Sequence, residues 1–425
     1  MKKKVTTHES GTDKAKIAII GGGFAGVSAA RVFDNQYSVT LIDKDSHFEW
    51  SPNIHELLSD VKTVDNLTLS YESLLSCSQH RFWQDEVSEV NPQTNTIKYQ
   101  SGLSEDYDAI IICIGHKTEY YGVDGAKEHT IPFKRLDDVV ALKQRLETIL
   151  SENTAKATDT TISVVGGGFT GLEVLGELHR KYQSRPDVNL RLIEQQPALF
   201  NARYRDVGNS ITELCATNGI DLYLNSTIEV VKEGEIRLNN NEVLKSDITI
   251  WTAGTSSQRL ADSGMFISSS TGISTNEFLQ ARCSSGQSFE QVFIAGDLAN
   301  TQSKQAKQAY HALNMGEMAA RNCISSLENR SLERYQPQVE LSLLSFGSLN
   351  TYALTPYGCA SSPLLAAAKE SVFQLQMANI GRGLPINDQV SSILQRNLAS
   401  ITKLALPQLR FFTPKNLLDK SNLFF

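Results

Sequence analysis

The chain has 425 residues, is 40% hydrophobic and carries a formal net charge of −7. That length accommodates two or three domains with full cores, and the acidic balance argues against a nucleic-acid partner. The charge is uneven: from Pro363 onward seven Lys/Arg face three Asp/Glu, so the tail carries +4 and the rest of the chain −11.

Lys2-Lys3-Lys4 opens the chain without a following apolar run, which reads as a short polar lead rather than a signal peptide. No apolar stretch approaches the ~20 residues of a spanning helix. A cytoplasmic protein is expected, with any membrane contact peripheral and on the cytoplasmic face.

The first structured stretch runs Lys16-Ile17-Ala18-Ile19-Ile20, Gly21-Gly22-Gly23-Phe24-Ala25-Gly26, a helical run, then Val39-Thr40-Leu41-Ile42-Asp43. This is strand, glycine turn, helix, strand, acid. Gly21 permits the tight turn, Gly23 admits a pyrophosphate to the backbone, and Gly26 lets the helix pack close to the strand. Asp43, 17 residues past Gly26, is placed for a ribose hydroxyl pair.

The aromatic and apolar segment His47 to Leu58 either lines a ring pocket or packs as a surface helix. Arg81 to Tyr99 reads as β-structure with a turn at Asn91-Pro92. Asp108 to Gly115 is a buried parallel strand, whose carboxyl end is where ligands sit in doubly wound sheets. Residues 135–153 form a charged helix with Val139, Leu142, Leu146 and Ile149 on one face.

A second copy of the opening pattern begins 145 residues after the first: Thr161 to Val165, Gly166-Gly167-Gly168-Phe169-Thr170-Gly171, a helix, then Asn189 to Glu194. The strand Asp247 to Gly254 mirrors 108–115, so the duplication extends past the glycine turns. Two such units imply two dinucleotides face to face, the design of a flavoprotein reduced by a nicotinamide. Glu194 favours NADH over NADPH because a carboxylate repels a 2′-phosphate; Arg191 opposes this only weakly.

Gln291 to Asp297 is another buried strand, closing in Gly296-Asp297, and a helix is expected from about Lys304 to Ser326. Asp297 either caps that helix or accepts hydrogen bonds from a polyol chain. In the tail, Val390, Ile393, Leu394, Leu398, Ile401, Leu404 and Ala405 fall on one helical stripe that Pro407 ends. The aromatic and basic residues beyond suit an anionic membrane surface; the alternative is a helix docked on the protein's own core or on a twin subunit in a homodimer. The six cysteines lie no closer than 36 residues apart, with no Cys-x-x-Cys and no disulfide framework. No metal site is expected.

Over roughly residues 14 to 350 these motifs resemble the pyridine-nucleotide-dependent flavoprotein reductases of the glutathione-reductase-like superfamily. Within it the chain is similar to type II NADH dehydrogenases and to the apoptosis-inducing-factor-like quinone reductases. The resemblance implies an α/β fold with two Rossmann-like dinucleotide-binding domains plus a C-terminal segment. An FAD domain would be formed by 14–155 and 266–335, an NAD(P)H domain by 156–265, and the C-terminal segment by 336–425. It implies FAD and NADH as cofactors. The cofactor-binding residues carried over are Gly21, Gly23, Phe24, Ala25, Gly26, Asp43, Lys44, Val87, Gly115, Gly166, Gly168, Gly171, Glu194, Gly254, Gly296 and Asp297.

Glu173, which follows the second turn, is expected near the nicotinamide; alternatively it is an exposed first-turn glutamate. Where type II dehydrogenases show Ala-Gln-x-Ala-x-Gln, this chain has Ser303-Lys304-Gln305-Ala306-Lys307-Gln308. Gln308 keeps one glutamine, while Lys307 through Tyr310 resembles the Lys-x-Ala-Tyr pattern of the other group. Glu173, Lys307 and Gln308 are the candidate catalytic residues. The activity implied is NADH:quinone oxidoreduction without proton pumping; a ferredoxin-type reductase and a non-catalytic redox sensor are the alternatives. Disulfide reductases need a cysteine pair near the flavin, which this sequence does not show; sulfide:quinone oxidoreductases need cysteines facing it, for which only Cys113 and Cys359 come into question.

Overall fold

The computed structural model describes residues 14–200, 202–258, 260, 264–301, 307–337, 341–362 and 364–381, together with the backbone of the strand Arg410–Phe412. Two parallel sheets organise these residues. The first has six strands in the order Gln280–Arg282, Ser288–Ile294, Ala109–Ile112, Lys16–Ile20, Ser38–Asp43, Arg81–Gln84. All its neighbours are parallel except the first pair. Ile17, Ile19 and Ile111 join a core under the helices, while Ala18, Ile20, Ile110 and Ile112 face a second core that includes Val90, Ile97 and Tyr99. Both faces are covered, which is why these strands are nearly continuous in β-branched residues.

The second sheet has five parallel strands in the order Ile131–Pro132, Ile248–Trp251, Thr160–Val165, Val188–Ile193, Asp221–Tyr223. The chain passes from the first sheet to the second through His116–Thr118 and returns through Thr255–Ser257. These two segments pair antiparallel, His116 opposite Ser257 and Thr118 opposite Thr255.

Each sheet carries the same turn after its central strand. Gly21 has φ +96° and Gly166 φ +104°, a region that L side chains rarely enter. A Cβ on Gly26 would lie 1.8 Å from the Gly21 carbonyl oxygen, and one on Gly171 1.9 Å from that of Gly166. The helices Phe24–Ala30 and Phe169–Tyr182 can therefore start against their own strands only with glycine there.

The helix Leu136–Ala155 buries Val139, Leu142, Leu146 and Ile149 as the sequence anticipates. Each such side chain contributes roughly 1.5–3 kcal/mol. Its start is fixed by Asp138, which accepts from the Arg135 N–H at 2.8 Å. The helix Ala309–Leu327 lies on Phe24–Ala30 so closely that a Cβ on Gly316 would meet the Ala25 oxygen at 2.0 Å. Its expected start near Lys304 lies outside the described residues. Lys307 is not helical, and Gln308 is the extended N-cap with φ −132°.

The C-terminal part is more structured than its sequence suggests. Ser342–Phe346, Asn350–Thr355 and Gly358–Ser361 form an antiparallel sheet, joined at its edge by the backbone of Arg410–Phe412. The turn of this sheet packs on the second unit's helix: a Cβ on Gly176 would lie 2.3 Å from the Gly347 nitrogen. The helix Leu364–Gly381 follows and buries Leu365, Phe373 and Ile380. The amphipathic stripe expected from Val390 to Ala405, and the tail beyond Phe412, lie outside the described residues. No described helix is long and apolar enough to cross a membrane.

Candidate functional site

A cleft of about 1440 Å³ opens where the first sheet's carboxyl end meets the second unit and the C-terminal helix. It is lined by Gly21, Gly23, Phe24, Ala25, Asp43, Lys44, Val87, Gly115, Gly296 and Asp297, and by Glu173, Lys307 and Gln308. Gly26 sits behind this wall, against Gly21. Gly166, Gly168, Gly171, Glu194 and Gly254 are not brought to the cleft; they gather around the second turn, whose following residues Phe169 and Thr170 do reach it.

The two turns are built alike. The Asp43 carboxylate accepts from the Gly22 N–H at 2.6 Å and from the Asp45 N–H at 3.0 Å. The Glu194 carboxylate accepts from Gly167 at 2.6 Å and Gln196 at 2.8 Å. In each case an acid ending the second strand is tied to the turn's middle glycine. Gly23 and Gly168 have nothing within 4 Å of the point where a Cβ would stand, so a ligand can approach their backbone. Burial pushes the Asp43 carboxyl up, against the pull of its two backbone donors. Asp297 is raised by burial too, opposed by Lys134, whose Nζ is 4.0 Å away. Arg191 is committed elsewhere: it donates to the Lys245 carbonyl at 2.9 Å and stacks over Tyr223.

Glu173 is not an exposed first-turn residue. Its carboxylate receives Lys369 Nζ at 2.6 Å, and the Nδ1 of His55 lies 3.6 Å away. Burial raises the Glu173 carboxyl, with Lys369 opposing. His55 is held well below the usual imidazole range, by burial first and then by Lys369, Arg180 and Lys62. Around this pair, Glu177 accepts from the Ser59 hydroxyl and Lys62 bridges Glu56 at 3.3 Å and Glu370 at 2.7 Å. The cluster ties the 3-10 segment Ser51–Leu57 and its following turn to the helices Phe169–Tyr182 and Leu364–Gly381.

Lys307 donates to the carbonyls of Thr271 and Asp297, both at 3.1 Å, and meets the His116 ring. Burial lowers its ammonium to about 8. Gln308 Nε2 donates to Ser342 Oγ at 2.5 Å, beside the half-exposed Leu341 and Tyr310. Lys369, His116, Lys134 and Ser342 escaped the sequence reading. Only His116 had a local signal, being the residue after the glycine that closes a buried strand. All six cysteines are free. Cys113 lines the cleft but Cys359 does not, and burial pushes the Cys113 thiol up and away from reactivity.

Two linked parallel sheets, each with a glycine turn answered by an acid, define a dinucleotide-dependent oxidoreductase of the α/β class. Residues 15–316 match the pyridine nucleotide-disulphide oxidoreductase family, and the chain belongs to it. Among its relatives, the type II NADH:quinone oxidoreductase of Staphylococcus aureus is 21% identical over 361 residues, covering 79% of this chain and 88% of the relative. That of Staphylococcus saprophyticus is 22% identical over 349 residues, covering 76% and 85%. The fold is shared with NDH2 from Plasmodium falciparum in complex with NADH, at TM-score 0.76 and 17% identity over 86% of this chain and 95% of the other. It is shared equally with the sulfide:quinone oxidoreductase of Aquifex aeolicus, at TM-score 0.75 and 16% identity over 90% and 95%.

Proposed function

We propose that the chain is a flavoprotein that takes hydride from NADH and passes two electrons to a quinone. FAD would lie along residues 14–155 and 266–335, and NADH along 156–265. The observation that carries this reading is the single cleft, in which the first glycine turn, Asp43 and Asp297 share one space with Phe169, Thr170 and Glu173 of the second unit and with the Gln308–Ser342 wall. The residues present fit FAD: Gly23 leaves its backbone open, Asp43 stands at the strand end for a ribose, and Asp297 offers a partly buried acceptor to a polyol.

When bound, FAD supplies two-electron chemistry that no side chain here provides. The chain's own residues orient and exclude water. Glu194 holds the nicotinamide dinucleotide's ribose and disfavours a 2′-phosphate, while Arg191, turned to Lys245 and Tyr223, does not oppose it. Glu173 and its Lys369 partner sit where the nicotinamide would meet the cleft. Gln308 and Lys307 border the acceptor side. A lone high-pKa thiol does not supply a cysteine pair for disulfide or sulfide chemistry. The names carried by the staphylococcal relatives support the quinone as acceptor, and the basic, aromatic C-terminal tail would bring the protein to a membrane surface on the cytoplasmic side.

Anaerobic stopped-flow tests this. NADH should bleach the flavin absorbance near ~450 nm, and a short-chain quinone should restore it within the same experiment. Bleaching without recovery would reject the quinone, and a purified protein that retains no flavin would reject the whole reading.

A further inference from the structure

Just beyond His116–Thr118, the chain holds a residue that the proposed function leaves unused. Tyr121 has φ +52°. Among the described residues, eight other than glycine have positive φ, and five of these are asparagine or aspartate, whose short polar side chains tolerate it. Leu279 is strained in the same way at φ +66°, but it is fully buried in the core. Tyr121 is 66% exposed and has no such compensation. Strain kept at an exposed aromatic residue points to a use for the position of its ring.

Hydrogen bonds hold this conformation against the second sheet. The Tyr121 N–H donates to the Glu119 carboxylate at 2.9 Å. The Glu119 N–H donates to the Gly254 carbonyl at 3.3 Å, and the Glu119 carbonyl accepts from the Trp251 indole at 2.8 Å. The Tyr121 ring then lies on Gly254. A Cβ at Gly254 would stand 2.0 Å from the Tyr121 hydroxyl oxygen and 2.5 Å from Cε2 and Cζ, so the ring can rest there only on glycine.

The place of this contact decides what the ring can meet. Gly254 follows the strand Ile248–Trp251, whose carboxyl end is a ligand position in a parallel sheet. Its neighbour Ala253 touches the second turn, its Cα 3.0 Å from where a Cβ on Gly166 would stand. On the other side Tyr120 packs on Trp251, with ring centroids 5.6 Å apart, and lines the cleft. Under the proposed function Glu194 takes the adenosine ribose and the open Gly168 backbone the pyrophosphate. The part of the dinucleotide that continues from the turn to the cleft is its nicotinamide half, and Gly254 lies between the two.

We propose that Tyr121 is a binding residue for this nicotinamide half, and that its ring turns off Gly254 to pack over it as a cover. This rests on the second unit being the nicotinamide dinucleotide's site. Ring and ligand share one face of Gly254, so the ring gives way as the ligand arrives. A ring this exposed is displaced easily, while the bonds on its backbone keep it at the strand end. The contact is made by the ring face, which is flat and apolar. Among the described residues nothing hydrogen-bonds the hydroxyl, which is dispensable.

Isothermal titration of the oxidised, flavin-loaded, full-length protein with NAD+, and separately with ADP, tests this. Tyr121→Gly suits the left-handed turn and removes the ring, and Tyr121→Asn is a second variant that suits it too. In either, Kd for NAD+ should rise about five- to tenfold, the scale of one aromatic contact, while Kd for ADP, which lacks the nicotinamide half, should stay within about twofold. Tyr121→Phe should bind both ligands as the wild type does. Equal losses for NAD+ and ADP would mean that the turn itself is damaged and would overturn the role of the ring, as would unchanged NAD+ binding. A wild type that binds no NAD+ would sink the reading of the second unit, and the cover with it.

Discussion

Lys307 makes the effect of a single side chain on stability readable through pH. Its ammonium is drawn down from the model-peptide value of 10.5 to about 8. Between those values the unfolded chain binds a proton that the folded chain has lost, so stability rises with pH across that window and is lost again as pH falls through 8. Lys307 retains solvent contact, which screens the size of the effect but not its sign. Urea unfolding between pH 8 and 10.5 should therefore show a positive slope in the wild type that is flattened in Lys307→Met. Parallel slopes would mean that the ammonium is not desolvated. Glu194 offers a second residue-scale test. Glu194→Gln keeps a carbonyl oxygen for the Gly167 N–H but removes the charge. The ratio of kcat/KM for NADH to that for NADPH should drop about tenfold, on the scale of one lost charge–charge repulsion. Steady-state kinetics with both nucleotides measures it.

At the scale of elements, the helix Leu364–Gly381 is held across the cleft by buried charge as much as by apolar contact. Phe373 packs on Trp50 at 5.7 Å, and Lys62 lies over the Phe373 ring at 4.1 Å. Lys369 stands with an 11% exposed side chain against Glu173 with 13%. Removing one partner of such a pair leaves a buried charge uncompensated, at a cost of about 3–5 kcal/mol. Lys369→Met should thus destabilise the protein near pH 8. It should also raise the Glu173 carboxyl further above its unfolded value, so that the loss shrinks as pH falls toward that value. Denaturation at pH 5 and 8, with Lys369→Met/Glu173→Gln as the recovering double variant, checks both sign and cause. This pairing also marks where the sequence stops being legible. The strand–turn–helix units were readable because glycine spacing, β-branched runs and a terminal acid are local signals. The Glu173–Lys369 pair joins residues 196 apart in sequence, and nothing local to either announces the other. The helix Leu364–Gly381 starts Leu-Leu-Ala-Ala-Ala and has no polar face opposing an apolar one, so helical periodicity did not reveal it. The strands Ser342–Phe346 and Gly358–Ser361 are short and rich in serine and glycine, which hides their alternation.

Across the whole molecule, the same turn occurs twice, and the close helix–strand approach makes each copy separately breakable. At Gly26 and Gly171 a methyl group would stand 1.8 Å and 1.9 Å from a backbone oxygen of its own turn, a clash relieved only by lifting the helix off the strand. Overpacking of this kind costs about 1–3 kcal/mol or more, and the displacement falls where each dinucleotide's phosphates would sit. Each sheet packs one face into a common core and the other face into a core of its own, so damage at one turn leaves the other unit its second core. Gly26→Ala should purify folded but with its flavin largely lost, as absorbance and circular dichroism together would show. Gly171→Ala should remain yellow and be bleached by dithionite, yet respond to NADH only at about tenfold or higher concentration. The dissociation between the two variants is the informative result. If Gly171→Ala also loses flavin, the two turns do not hold separate dinucleotides, and the division of labour between the units fails. If Gly171→Ala reacts with NADH as the wild type does, the nicotinamide dinucleotide does not use the second turn.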